Sequence, residues 1–105
     1  VYGASMALGR RVLASNPKVN VFHRGFVACD SYANGESAIA AIACPVLFVL
    51  GAVDQMTPPK AAGSLIDAAR SAGKAVSVAT LPVGHHQMTE TPDETLFAIS
   101  DFLIR

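Results

Sequence analysis

The chain is expected to adopt an α/β fold, and three features of its second half predict it. Val46-Leu47-Phe48-Val49-Leu50 is an apolar run without alternation, the pattern of a strand covered on both faces in a parallel sheet. Ala62, Leu65, Ile66 and Ala69 follow at i, i+3, i+4 and i+7, one stripe of a helix. A second strand-like stretch over 75–81 and a helix-like stretch over 92–104 complete a strand, helix, strand, helix order. A right-handed crossover then makes the two strands parallel.

Each element has its own local cause. Tyr2, Met6, Gly9 and Leu13 mark one face of a first helix, which Asn16-Pro17 ends. Residues 18–34 carry no clear period. Phe22, Phe26, Val27 and Cys29 fit a short helical turn, and Tyr32-Ala33-Asn34-Gly35 a chain reversal. An alanine-rich stretch over 36–42 predicts a short helix before Pro45. Residues 1–40 therefore read as a helical segment and 41–105 as the α/β part. After the first strand, Thr57 is the expected N-cap, with Pro58 at the first helical position. Arg70 falls in the last turn of that helix and Gly73 at its C-terminal end. The second strand leads into a loop over 82–90. Thr91-Pro92-Asp93-Glu94 then reads as a capping box, and Leu96, Ile99, Phe102 and Leu103 as the buried face of the last helix. There is no internal repeat and no low-complexity tract.

Composition bounds the function. A chain of 105 residues supports one small domain. Its apolar share of 51% excludes intrinsic disorder. Its charged share of 15% is low against about 25% in ordinary domains, so part of the surface is expected to meet protein. Net charge is zero, which leaves no basic excess to hold nucleic acid or an anionic membrane. Pro45 and Gly51 break the one long uncharged stretch, 37–53, so no membrane span is expected. The first residues lack the charge order of a signal peptide, and Val1 stands where an initiator Met would, so the chain is expected to be a piece of a longer one. Cys29 and Cys44 are too few for a disulfide framework or a thiolate zinc site. They read as reduced core residues of a cytoplasmic protein.

Two residues stand where α/β sheets gather their chemistry, beyond the carboxyl ends of the strands. Asp54 follows the first strand and His85 the second. Parallel neighbouring strands would put both loops on one edge of the sheet. The carboxylate could then accept the Nδ1 hydrogen, fix the imidazole tautomer and leave Nε2 free as a base. Taken alone, Asp54 is as well explained as a turn former and His85 as a solvated loop residue. No metal set is visible: His85 and His86 are adjacent and point apart, and His23 is remote. Gly51 and Gly84 are single, so no phosphate-cradling loop and no cofactor are expected. Met6, Met56 and Met88 read as gap-fillers.

Gly51-Ala52-Val53-Asp54-Gln55-Met56-Thr57-Pro58 resembles the acid loop of the α/β-hydrolase fold. Residues 81–92, with Gly84-His85 and then Glu90-Thr91-Pro92, are similar to that family's histidine loop. Ile42-Ala43-Cys44-Pro45 and the strand behind it match too, so the resemblance spans 42–104. It implies that residues 41–105 are the C-terminal part of an α/β-hydrolase core and 1–40 the end of a helical cap. It implies that Asp54 is the triad acid and His85 the base; His85 is preferred to His86 because it follows Gly84 directly. It implies a serine hydrolase, esterase-like, acting on a small-molecule ester or amide. Gly3-Ala4-Ser5-Met6-Ala7 approaches the G-x-S-x-G nucleophile elbow, but no strand precedes it and too little chain separates Ser5 from Asp54. The nucleophile is thus expected outside this chain, which alone should be inactive. The competing expectation is a non-catalytic α/β module that self-associates. A nucleotide-binding domain is disfavoured by the missing Gly-rich turn. Either way a homodimer is expected, because a two-stranded sheet with apolar faces needs further cover. Tyr2, Met6, Phe22 and Phe26 could line a pocket, with core packing the favoured use.

Overall fold

The computed structural model describes residues 2–105. They form a mixed α/β structure of six helices and two parallel strands, divided into two compact units that meet in sequence at Ala33 and Asn34.

The first unit holds helices α1 (Tyr2–Ser15) and α2 (Val21–Ser31). α1 ends as its sequence requires: Ser15 Oγ and Asn16 Nδ2 both donate to the Val12 carbonyl, each at 2.9 Å, and Pro17 follows. α2 is a full helix where only a short turn was expected. Its start is fixed by Asn20, whose Oδ1 accepts the His23 N–H at 3.0 Å. The ring of Phe22 lies against Gly9. No residue of α1 or α2 is buried, so the core packing expected of Tyr2, Met6, Phe22 and Phe26 does not form. The contact between α1 and α2 is too small to enclose those side chains.

The second unit is built on β1 (Val46–Gly51) and β2 (Val76–Leu81), paired in parallel from Val46↔Val76 to Gly51↔Leu81. Helix α3 (Gly35–Ala41) packs against α4 (Gly63–Ser71), α4 touches β2, and α6 (Pro92–Leu103) lies against both strands. A short α5 (Gln87–Glu90) precedes α6. Ile66 and Ala69 of the α4 stripe are buried, with Leu65 exposed to neither extreme and Ala62 half-buried beside them. The end of α4 follows its residues closely. Gly73 sits at φ +76°, and the Gly73 and Lys74 N–H groups donate back to Arg70 and Ala69, each at 3.0 Å.

Several local expectations are corrected. β1 is half-buried rather than fully covered, because it has one neighbouring strand. α4 does not start on a Thr57 cap. A 3-10 turn over Pro59–Ala62 leads into it, and both the N–H and the hydroxyl of Thr57 are bound to Asp54 instead. The capping box at Thr91 is not made either. Its reciprocal half needs a free Thr91 N–H, and that group already donates to the Gln87 carbonyl at 2.9 Å. On α6 the face turned to the sheet carries Thr95, Ala98, Asp101 and Phe102, while Leu96, Ile99 and Leu103 are exposed. Phe102 alone of the four predicted residues faces inward, because Thr95 hydrogen-bonds to α5 and sets the helix phase. Cys29 and Cys44 are free thiols but exposed, not core residues: Cys29 lies on α2, which buries no residue, and Cys44 in the bend before β1. Among the described residues no helix is long and apolar enough to cross a membrane.

Candidate active site

The parallel ladder runs on past the ends of both strands. Ala52 N–H donates to the Leu81 carbonyl at 2.8 Å and Val53 N–H to that of Val83 at 3.1 Å. The Asp54 N–H then turns back to the Gly51 carbonyl at 3.1 Å. The two loops approach so closely that a Cβ on Gly51 would overlap the Gly84 carbonyl oxygen and stand 2.7 Å from that of Val83. Position 51 is therefore glycine for reasons of space, and the contact it permits brings the two loops together.

Asp54 is one of the few buried polar residues, its side chain 4% exposed. Its two oxygens do different work. Oδ1 accepts the N–H groups of Met56 at 2.9 Å and Thr57 at 3.0 Å, a local turn of the Asx type. Oδ2 accepts the Thr57 hydroxyl at 3.1 Å and the His85 Nδ1 hydrogen at 2.9 Å. The turn-forming and the His-pairing readings of Asp54 thus both hold, one for each oxygen. Burial works against ionisation, but the Thr57 N–H, the His85 ring, the Met56 N–H and the Thr57 hydroxyl outweigh it. Together they bring the Asp54 carboxyl from its ordinary 3.8 down to about 2.

An ionised acceptor at Oδ2 assigns the proton of neutral His85 to Nδ1. Thr57 Oγ1, at 3.4 Å from Nδ1, is a weaker second neighbour. The His85 side chain is 40% exposed, and no described residue hydrogen-bonds its Nε2. The arrangement can take up a proton at Nε2 while Asp54 holds the ring and stabilises the resulting imidazolium.

His86 does not reach Asp54. Its ring stands edge-on to that of His85, centroids 5.6 Å apart, and its backbone N–H donates to Glu90 Oε2 at 3.0 Å. His23 lies on α2 in the first unit. Ser5 lies inside α1, with no strand before it among the described residues, so no nucleophile elbow forms there. The described serines lie in helices or, for Ser77, in β2; none occupies a loop at a strand's carboxyl end. Among the described residues no group of three or more His, Cys, Asp or Glu side chains could hold a metal.

Thr57 and Glu90 are the residues of this site whose roles the sequence reading missed. Thr57 stands three residues after an Asp at a strand end, the spacing of an Asx turn, and that signal was available. The Glu90 carboxylate accepts the Gly84 N–H at 3.1 Å as well as the His86 N–H. That is a contact between loop and helix, and the one signal for it in the sequence is the Glu90-Thr91-Pro92 that follows Gly84-His85. No family model, no curated protein and no solved structure matches this chain.

Proposed function

We propose that Asp54 and His85 are the acid and base of a serine-type acyl hydrolase, in the manner of the α/β-hydrolase fold. The observation that carries this reading is the 2.9 Å contact from Nδ1 to Oδ2, made by a buried carboxylate whose remaining acceptor positions are filled by Met56 and Thr57. In the proposed reaction a serine outside this chain attacks the carbonyl of a small ester or amide. His85 Nε2 takes the serine proton and returns it to the departing alcohol or amine, leaving an acyl-enzyme. Water then gives its proton to Nε2 and its hydroxyl to the acyl carbon, and Nε2 passes that proton to the departing serine oxygen, which frees the acid and restores the serine. Asp54 holds the ring and offsets its transient positive charge.

The test is labelling of the protein produced from its natural reading frame with a fluorophosphonate, compared with a His85→Ala variant. The expected result is one labelled serine and loss of labelling in the variant. Absence of labelling, or equal labelling of both, overturns the proposal. The 105-residue chain alone should turn over no p-nitrophenyl acetate by this route.

A second reading is favoured by the exposed apolar residues of α6, among them Phe97 at 71% and Leu103 at 74%, beside a sheet of only two strands. It makes the chain a self-associating module, with a second copy adding to the sheet edge. Sedimentation equilibrium separates the two: a folded 10.9 kDa monomer at micromolar concentration removes this reading.

A further inference from the structure

Glu90 brackets the candidate base without touching its ring. Its Oε1 accepts the N–H of Gly84 and its Oε2 the N–H of His86, the residues on either side of His85. Both carboxylate oxygens are thus committed to the backbone that carries the imidazole. The fit is close, since a Cβ on Gly84 would stand 3.2 Å from each oxygen. Charge-assisted bonds of this kind are stronger than those between neutral groups, and a two-point clamp fixes orientation as well as position.

The clamp is itself held. The Glu90 N–H donates to the His86 carbonyl at 2.8 Å, which closes α5 as a single turn. The buried Thr95 of α6 donates its hydroxyl to the Gln87 carbonyl at 3.1 Å and to that of Thr91 at 2.8 Å. A continuous set of bonds therefore runs from α6 through α5 and Glu90 to the two peptide units flanking His85. On the other side of the ring, Asp54 is held by its own loop.

We infer that Glu90 is a positioning residue for His85: its carboxylate sets the backbone on which the imidazole is aimed at Asp54. The inference rests on the reading of Asp54 and His85 as a working pair, and it assigns Glu90 no contact with substrate. Its consequence is electronic as well as geometric. With the clamp in place the neutral ring is held as the Nδ1–H tautomer, bare at Nε2. Without it the loop relaxes, the ring leaves Oδ2, and the Nε2–H tautomer that free imidazole side chains favour in water reappears. A misplacement of about 1 Å at a reacting group can cost on the order of 10²-fold in rate, so a clamp on the backbone beside the chemistry has a large effect to exert.

The experiment reads the ring nitrogens of His85 by long-range 1H–15N NMR, at a pH where the ring is neutral, in the 105-residue chain and in Glu90→Gln and Glu90→Ala. The Glu90→Gln change keeps the side-chain volume but turns an amide NH2 toward one of the two N–H donors, so one clamp bond is lost. The expected result is an Nδ1–H ring in the parent chain and conversion toward Nε2–H in both variants, with the amide signals of β1 and β2 unchanged. If Glu90→Ala does not fold, Glu90→Gln decides alone. A variant ring still fully Nδ1–H overturns the inference while leaving the Asp54–His85 pair intact. Conversion accompanied by loss of the sheet signals makes Glu90 a stability residue and overturns it too. An Nε2–H ring in the parent chain removes the pair itself, and the role of Glu90 with it.

Discussion

The carboxylate of Asp54 is placed by its nearest neighbours in sequence, whereas the ring of His85 is placed by a residue of the other loop. Asp54 is bonded to Met56 and Thr57, two and three residues ahead, so its carboxylate is placed by the segment it belongs to. The His85 ring has no hydrogen-bond partner that near in sequence. The backbone on either side of it is held by Glu90 from α5, Gly84 lies against Gly51 of β1, and the ring itself is held by Asp54. The acid is the fixed reference and the base is brought to it. An acid that must stay ionised gains from short-range bonds that form whenever the loop forms. Holding the frame on either side of His85 leaves its Nε2 open, which the proposed role of a base requires.

The largest effect expected from breaking this asymmetry comes from Asp54→Asn. The local turn survives, since an Asn oxygen still accepts from Met56 and Thr57. The other half of the side chain becomes a donor facing Nδ1, which forces the neutral ring toward Nε2–H. On the proposed hydrolase reading, kcat should fall by about 10⁴-fold, the order known for this substitution in serine-protease triads. An acyl-ester assay with the NMR ring state as companion measures it; an unchanged ring state would place the proton wrongly here.

Next in size is Gly51→Ala, which strikes the junction of the two loops rather than either one. The new methyl meets backbone carbonyls of Val83 and Gly84, which cannot rotate away as a side chain could. Overpacking of this kind costs about 3 kcal/mol, and the urea midpoint should fall accordingly. The His85 loop should separate from the Asp54 loop while the internal bonds of the latter persist. A stable variant with both loops in place would contradict the packing described for Gly51.

The smallest effect is a pH dependence that sharpens the comparison without altering a residue. Asp54 titrates at about 2 in the folded chain against an ordinary 3.8, so the folded state binds its proton less readily than the unfolded one. Its contribution to stability is therefore fully present above about pH 4 and is lost as pH falls through about 2. Urea midpoints across this range should show the decline, and Asp54→Asn should remove that part of it. A midpoint that is flat down to about pH 2 in the parent chain would argue against the bonds assigned to Oδ1 and Oδ2.

What could be read in the sequence divides along the same line as the loops. The parallel pair was legible because Val46 to Leu50 and the helical stripe behind them are patterns within one segment. The meeting of the Asp54 and His85 loops followed from that topology alone. Gly73 and the close of α4 were likewise local. What escaped notice was competition for single hydrogen-bonding groups. Thr57 has a sequence fit for a cap, but Asp54 takes its N–H and hydroxyl. Thr91 has a capping-box sequence, but Gln87 takes its N–H. The inward face of α6 was misjudged because Thr95, a polar residue, is anchored to α5 and turns Leu96 and Leu103 outward. A run of letters shows what each group can bond, not which of two partners reaches it first.

The ladder bonds from Ala52 to Leu81 and from Val53 to Val83 carry the sheet beyond its formal last residues and into the two loops. The first residues of neither loop can then swing away on their own strand. Separating them means unzipping the carboxyl end of the sheet, a cooperative event rather than a local flicker. In hydrogen–deuterium exchange the amides of Ala52 and Val53 would keep pace with those of β1, although both residues lie outside it. The roots of the two loops would then stay together for as long as the sheet does, and only the residues beyond Val53 and Val83 would be left to aim the imidazole.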